Sequence, residues 1–299
     1  MEPGLTLTFV GCGNMGSAVL SGILDASTPT PTPTDSSSSN KKCPFSRIIA
    51  CTKTKSSANV LQTRYAKHPS PIQLEFQSGD NTFAVTQADV VILACKPYLV
   101  ESVLGAEGLS DALAGKLVVS IIAGKTREVL AGYIEKNQSE STESQTAIIA
   151  RAIPNVAASV RESMTIIELP DSAAERDIEV IEWMFSQIGQ VKILGLELFD
   201  LGTMLMASLA SVSVAVDGIL DGCVAEGLRR SDAAEMTAQC LLGLARLLKE
   251  GHHPALLREA ISSPRGCTIQ GLLTVEKAGV RSAFAESIIN GTRHLQGLQ

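Results

Sequence analysis

Aromatic residues are scarce in this chain: 4% of 299 positions, with a single tryptophan and three tyrosines. Surfaces that stack nucleic-acid bases use rows of aromatic side chains, so this supply argues against one. Positive charge is also in deficit. Lys and Arg number 25 against 31 Asp and Glu, a net charge of −6, whereas nucleic-acid binders carry a basic patch or stripe. The seven cysteines are an odd number, and no two stand in C-x-x-C spacing. Cys12, Cys43, Cys51, Cys95, Cys223, Cys240 and Cys267 lie mostly in apolar runs, where a reduced thiol packs as a small hydrophobe. A reducing compartment is expected, and no metal site. The first residues lack both the basic start of a secretory signal and the Arg-rich pattern of a transit peptide, so the expected location is cytoplasmic. One uncharged stretch, Leu201 to Val216 between Asp200 and Asp217, has sixteen residues. That is short of the ~20 needed to cross a bilayer, and a helix buried in a bundle or interface is expected there, not a membrane span.

What is present is a globular composition, 45% hydrophobic and 19% charged, long enough for two domains. Leu5 to Val10 is a short run of strand formers. A glycine-rich turn follows, then a helical pattern of Met15, Val19, Leu20, Ile23 and Leu24. Residues 26–46 change character, with alternating Thr and Pro and then four serines. Such a stretch cannot bury a core and reads as a loop inserted into the first strand–helix–strand unit. Strands are expected at Ile48–Cys51, Asp89–Ala94, Leu117–Ile122, Ile148–Ile153, Met164–Leu169 and Val191–Leu194. Helical patterns fall between them, at 59–66, 100–104, 111–114 and 173–188. The continuous apolar runs are those of parallel strands covered on both faces. After Gly195 only helical spacing remains: 199–227, 231–250, 254–261, 268–277 and 281–295, with Ser231 and Ser282 as candidate caps. The expected architecture is α/β: a Rossmann-like doubly wound sheet over residues 1–195, followed by an all-helical part over 196–299.

Gly11-Cys12-Gly13-Asn14-Met15-Gly16 fits G-x-G-x-x-G between a strand and a helix. The first glycine permits the tight turn, the second lets the backbone approach a pyrophosphate, and the third lets helix pack on strand. Free N–H groups at the helix start then face the phosphates. The second strand distinguishes the cofactors. NAD enzymes place a carboxylate at its end for the ribose hydroxyl. Here Thr52, Lys53, Thr54, Lys55 and Ser56 offer hydroxyls and two lysines instead, which suit a 2′-phosphate. NADPH is expected over NADH.

Further stretches carry a resemblance. They are Phe9 to Gly16; Ala88-Asp89-Val90-Val91-Ile92-Leu93-Ala94-Cys95-Lys96-Pro97; Ser120-Ile121-Ile122-Ala123-Gly124; Arg151-Ala152-Ile153-Pro154-Asn155; Ser263-Pro264-Arg265-Gly266-Cys267-Thr268-Ile269; and Glu276 with Gly279-Val280-Arg281. In this order, and over nearly the whole chain, the sequence resembles the pyrroline-5-carboxylate reductase family. The resemblance implies that Lys96-Pro97 and Ala123-Gly124 end strands beside the nicotinamide and that Asn81 contacts the cofactor. It also implies a substrate loop of Ser263, Arg265, Gly266, Cys267 and Thr268, with Thr268 bonding the ring nitrogen as the catalytic residue. The helical part becomes a substrate and dimerisation domain, so the chain is expected to pair with itself, as a homodimer or larger.

The residues agree with this chemistry on their own terms. Ser262 to Gly266 interrupt two helical patterns, which places Thr268 in the first turn of a helix whose free N–H groups suit a carboxylate. Reducing a cyclic imine requires a hydride aimed at carbon and a hydrogen bond or proton at nitrogen, and a hydroxyl can donate there without a permanent charge. His252 and His253 stand near the loop but read as surface or capping residues. The sequence departs from the family at Arg265, where a glycine is usual, at Cys267, at Val156-Ala157, and at Met206 to Ser211. The leading expectation is NADPH-dependent reduction of 1-pyrroline-5-carboxylate to L-proline. The alternatives are a methylated or six-membered cyclic imine carboxylate in a specialised pathway, and a non-catalytic NADP-binding interaction protein.

Overall fold

The structure, a computed structural model, describes residues 4–28, 42–139 and 146–297. Its strands are β1 (Leu5–Val10), β2 (Phe45–Thr52), β3 (Gln73–Ser78), β4 (Val90–Leu93), β5 (Leu117–Ser120), β6 (Ile148–Ile153), β7 (Ser163–Glu168) and β8 (Gly189–Ile193). Between and after them come α1 (Asn14–Ser27), α2 (Lys55–Tyr65), α3 (Asn81–Thr86), α4 (Val100–Leu104), α5 (Leu109–Ala112), α6 (Arg127–Glu135), α7 (Glu175–Ser186) and α8 (Leu196–Ala207). The remaining helices are α9 (Leu209–Ala225), α10 (Arg230–Lys249), α11 (Pro254–Ile261), α12 (Cys267–Lys277) and α13 (Val280–Leu295). The chain divides into two compact units, Met1–Met206 and Ala207–Gln299.

In the first unit the strands form one sheet in the order β3-β2-β1-β4-β5-β6-β7-β8. All neighbours are parallel except β6 and β7. Strand order reverses between β1 and β4, the switch point beside which doubly wound sheets bind ligands. Alternation explains the two covered faces. In β4, Val90 and Ile92 join a core with Leu7, Phe9, Leu20, Ile48 and Phe185. Val91 and Leu93 join another with Val10, Leu104, Leu109, Val118 and Leu130. A strand apolar on both sides reads as a continuous run, as its sequence does.

Several expectations shift. β3, α3 and α6 were not legible as elements. β3 is an edge strand whose only apolar pair, Leu74 and Phe76, gives a weak alternation. α2 starts at Lys55, four residues before the expected 59, because Thr54 caps it by accepting from the Ser57 N–H at 3.2 Å. The expected single helix 199–227 is broken at Ser208 into α8 and α9. Ser231 is not a cap: α10 begins at Arg230, and Arg229 bonds Asp232 across the first turn. The ends of the 26–46 segment are regular, with α1 reaching Ser27 and β2 starting at Phe45; residues 29–41 lie outside the described residues. The first helix after β8 begins at Leu196, three residues before the expected 199, and the first compact unit continues past residue 195 to Met206. The cause is Phe199, fully buried against Ile153 and Ile166, with Met206 packed on the same cluster.

Phe199 also covers a buried charge cluster. Glu168 on β7 receives Arg127 Nε at 2.7 Å and an Arg151 guanidinium N–H at 2.8 Å. The Arg151 guanidinium sits over the Phe199 ring, 4.0 Å from its centre, and Asp200 stands 3.9 Å away. Arg151 and Glu168 are 3% and 1% exposed, so their charges are compensated within the cluster, chiefly by each other and by Arg127. The cluster ties α6, β6, β7 and α8 together.

The helical unit is packed differently. No residue of α9, α11, α12 or α13 is buried, and in α10 only Ala233 is. Leucines such as Leu209, Leu241, Leu244 and Leu273 are exposed instead. Leu196–Ala225 totals 30 residues that by length and composition alone could cross a membrane. The sixteen-residue count therefore does not by itself exclude a span.

Removing Glu168 should leave Arg151 buried with only the more distant Asp200, 3.9 Å away, as a counter-charge. Glu168→Ala is expected to cost about 3–5 kcal/mol, read as a lowered urea midpoint of the purified protein. An unchanged midpoint would show that the two guanidiniums find water instead.

Candidate active site

The glycine-rich turn leaves β1 at the switch point. Gly11 has φ of 89°, and a Cβ there would lie 3.0 Å from the Ala94 carbonyl carbon and oxygen and from Cys95 N. Only glycine fits that backbone and that gap. At Gly16 a Cβ would meet the Gly11 carbonyl oxygen at 3.2 Å, which sets how closely α1 packs on the turn. Gly13 differs: a Cβ there meets nothing within 4 Å. The space above Gly13 is open, as backbone approach by a pyrophosphate requires. α1 begins at Asn14 with no side-chain cap and no acidic residue in its first turn. Its N-terminus thus keeps N–H groups and partial positive charge for an anion. Met15 packs its side chain on the core, so its amide is the part that faces this end.

The other expected cofactor residues lie along the same carboxyl edge of the sheet. Thr52 ends β2, but its side chain turns inward and donates to the Thr54 carbonyl at 3.0 Å. Lys53, Lys55 and Ser56 are exposed beyond it, with no carboxylate among residues 52–56. These groups fit a 2′-phosphate better than a free ribose hydroxyl. Asn81 follows β3 as the first residue of α3, whose cap is Asp80, accepting from the Phe83 N–H at 2.9 Å. Lys96 and Pro97 follow β4; both are exposed, and Lys96 Nζ sits 5.9 Å from the centre of the Tyr98 ring. Ala123 and Gly124 follow β5, also exposed. The ends of β1, β2, β4 and β5 and the start of α3 therefore bring together every cofactor residue expected from the sequence.

Three cysteines stand on this edge, each held in the protonated form by burial. Burial pushes Cys12, Cys51 and Cys95 up to about 11, so each is a neutral thiol at pH 7.

The expected substrate residues lie in the helical unit. The Gly266 N–H donates to the Ser263 carbonyl at 3.0 Å, closing a turn over Ser263–Gly266. A Cβ at Gly266 would fall 2.3 Å from Ser263 Oγ and 3.1 Å from the Ser263 carbonyl oxygen, so a side chain there requires the serine hydroxyl to rotate away. α12 then starts at Cys267, capped by no side chain. Cys267 is exposed and Thr268 half-buried in the first turn. Glu276, further along α12, receives Arg258 of α11 at 2.6 Å and Arg281 of α13 at 3.5 Å. The Ser262 hydroxyl bonds the Arg258 carbonyl at 2.7 Å. Glu276 thus braces the helices on both sides of the turn, a function that its place in the sequence pattern did not reveal.

Comparison with known proteins decides the family. Residues 197–298 match the profile described as pyrroline-5-carboxylate reductase dimerisation, and residues 6–124 match NADP oxidoreductase, coenzyme F420-dependent. A pyrroline-5-carboxylate reductase of Lophium arboricola is 39% identical, covering 96% of this chain and 91% of its own. The Neurospora crassa enzyme of that name is 37% identical, with 97% of each covered. The chain belongs to the pyrroline-5-carboxylate reductase family. The reductase fold is seen in the solved structure of the Coxiella burnetii protein, with a TM-score of 0.77, 23% identity, and 99% and 98% of the two chains covered. It is seen again in the Plasmodium falciparum reductase, solved with NADP bound, with a TM-score of 0.73, 20% identity, and 98% and 97% covered. In this family member the Arg127–Glu168–Arg151 cluster was missed as a unit. An arginine inside the apolar strand 148–153 was the one signal that could have pointed to it.

Two substitutions test the cofactor half. Gly13→Ala should leave the melting temperature nearly unchanged, since its methyl meets no protein atom, yet weaken NADPH binding by about tenfold or more. Fluorescence titration measures it, and equal affinity would place the pyrophosphate elsewhere. Lys53→Glu should narrow the preference for NADPH over NADH by about tenfold, read from paired titrations with the two cofactors.

Proposed function

We propose that this chain reduces 1-pyrroline-5-carboxylate to L-proline with NADPH. The observation that carries the reading is the Ser263–Gly266 turn opening onto the uncapped start of α12, with Thr268 in its first turn. That arrangement suits a small ring bearing a carboxylate. Its membership in the reductase family and the hydroxyl- and lysine-bearing end of β2 support the substrate and the cofactor. NADPH, when bound, supplies the hydride that adds to the imine carbon. The chain's own residues hold and polarise. Amides at the start of α1 and the open backbone at Gly13 would hold the pyrophosphate, and Lys53 and Lys55 would hold the 2′-phosphate. Amides at the start of α12 receive the substrate carboxylate. The Thr268 hydroxyl donates to the ring nitrogen, which draws electron density from the C=N carbon as it is attacked. The product nitrogen takes its proton from solvent.

We place the protein in the cytoplasm as an oligomer of identical chains. All seven cysteines are free thiols, which fits a reducing compartment. The exposed leucines of α9 and α10 fall within the residues matching the dimerisation profile. Between these helices an apolar groove of about 330 Å³ is lined by Ile219, Met236, Leu241 and Leu244. A second copy covers such a surface without requiring the Leu196–Ala225 segment to enter a membrane.

A second reading, a ring-substituted or six-membered imine carboxylate, is favoured by the departures at Arg265 and Met206–Ser211. Purified protein with NADPH and a panel of cyclic imine acids separates the readings by loss of nicotinamide absorbance. Turnover of 1-pyrroline-5-carboxylate at ordinary enzyme rates is expected. Thr268→Ala should lower kcat about 100-fold and Thr268→Ser much less. Full turnover in the alanine variant would remove Thr268 from the chemistry, and NADPH binding without any turnover would leave only an interaction protein.

A further inference from the structure

The turn before α12 contains a residue that its backbone disfavours. Ser263 and Gly266 close it, Pro264 is second, and the third residue, Arg265, has φ of 63°. Proline second and a left-handed residue third is the type II pattern, whose third place ordinarily holds glycine or asparagine. An arginine kept there at a cost in backbone strain points to a role for its side chain. That side chain is exposed and has no hydrogen-bond or ion-pair partner among the described residues. The arginines on the flanking helices differ. Arg258 and Arg281 share the Glu276 carboxylate, so this carboxylate is already engaged and the Arg265 guanidinium is left uncommitted at the turn.

We propose that Arg265 is a specificity-determining residue that grips the substrate carboxylate alongside the amides of α12. The inference rests on the cyclic-imine carboxylate reading above and deepens it. A guanidinium meets a carboxylate through two parallel N–H···O bonds. Backbone amides alone accept a neutral ring with less penalty than a site that also holds a dedicated cation. Arg265 thereby widens the preference for a carboxylated ring over the same ring without the acid.

The test compares the full-length protein, Arg265→Gly and Arg265→Lys, each with NADPH and either 1-pyrroline-5-carboxylate or 1-pyrroline. Glycine suits the left-handed backbone, so the first variant keeps the fold. Arg265→Gly should raise KM for the carboxylated ring about tenfold or more with kcat changed less than about threefold. The kcat/KM preference for that ring over 1-pyrroline should narrow by a similar factor, and Arg265→Lys should fall between. An unchanged preference in Arg265→Gly, or a lower KM, overturns the inference while leaving the cyclic-imine reading intact. If the unaltered protein reduces neither ring, that reading fails and this inference fails with it.

Discussion

The first unit depends on the absence of a side chain at one crossing. Where β1 gives way to α1, the backbone passes so near Ala94 and Cys95 at the end of β4 that a methyl group at Gly11 would touch three backbone atoms. This contact sits at the switch point of the sheet, so it fixes both the departure of α1 and the place where the strand ends fan apart. The open space above Gly13 and the uncapped start of α1 lie immediately beside it. Residues from β2, β4 and β5 gather on the same edge. Loops can vary in length around such a crossing; the backbone separation cannot.

The two units bury charge and apolar surface in opposite ways. In the sheet unit a glutamate and an arginine are buried together beneath Phe199. That arrangement specifies geometry more than it adds stability. It connects α6, which begins three residues after Gly124, to β6, β7 and α8. In the helical unit the charges are outside, as in Arg230 with Asp217 and Asp221, and so are most of the leucines. The sheet unit completes its core within one chain; the helical unit does not.

Most of the fold could be read from the sequence because its signals are local and repeated. Strands β1, β4, β5 and β6 are short apolar runs, α1 has a clean helical period, and the glycine spacing announces the turn. What escaped is structure decided by neighbours. β3 is a half-exposed edge strand, so its residues Gln73 to Ser78 lack a strong pattern. The boundary near 195 moved to Met206 because Phe199 packs on residues distant in sequence. In the candidate site, the glycines, Asn81, Lys96 and Ala123 stand at the strand and helix ends of one sheet edge, while their cofactor roles rest on the family resemblance. The inward turn of the Thr52 hydroxyl and the bracing by Glu276 were not legible, since both are set by three-dimensional partners. The left-handed backbone at Arg265 was half visible: Ser-Pro-x-Gly suggests a turn, but only the dihedral angle shows which residue carries the strain.

The exposed leucines of α9 and α10 also bear on how stability behaves. A unit that leaves its apolar faces for a second chain gains much of its folding free energy from association, which obeys mass action. Its transition on heating then depends on protein concentration, shifting downward on dilution, while the sheet unit keeps a transition of its own.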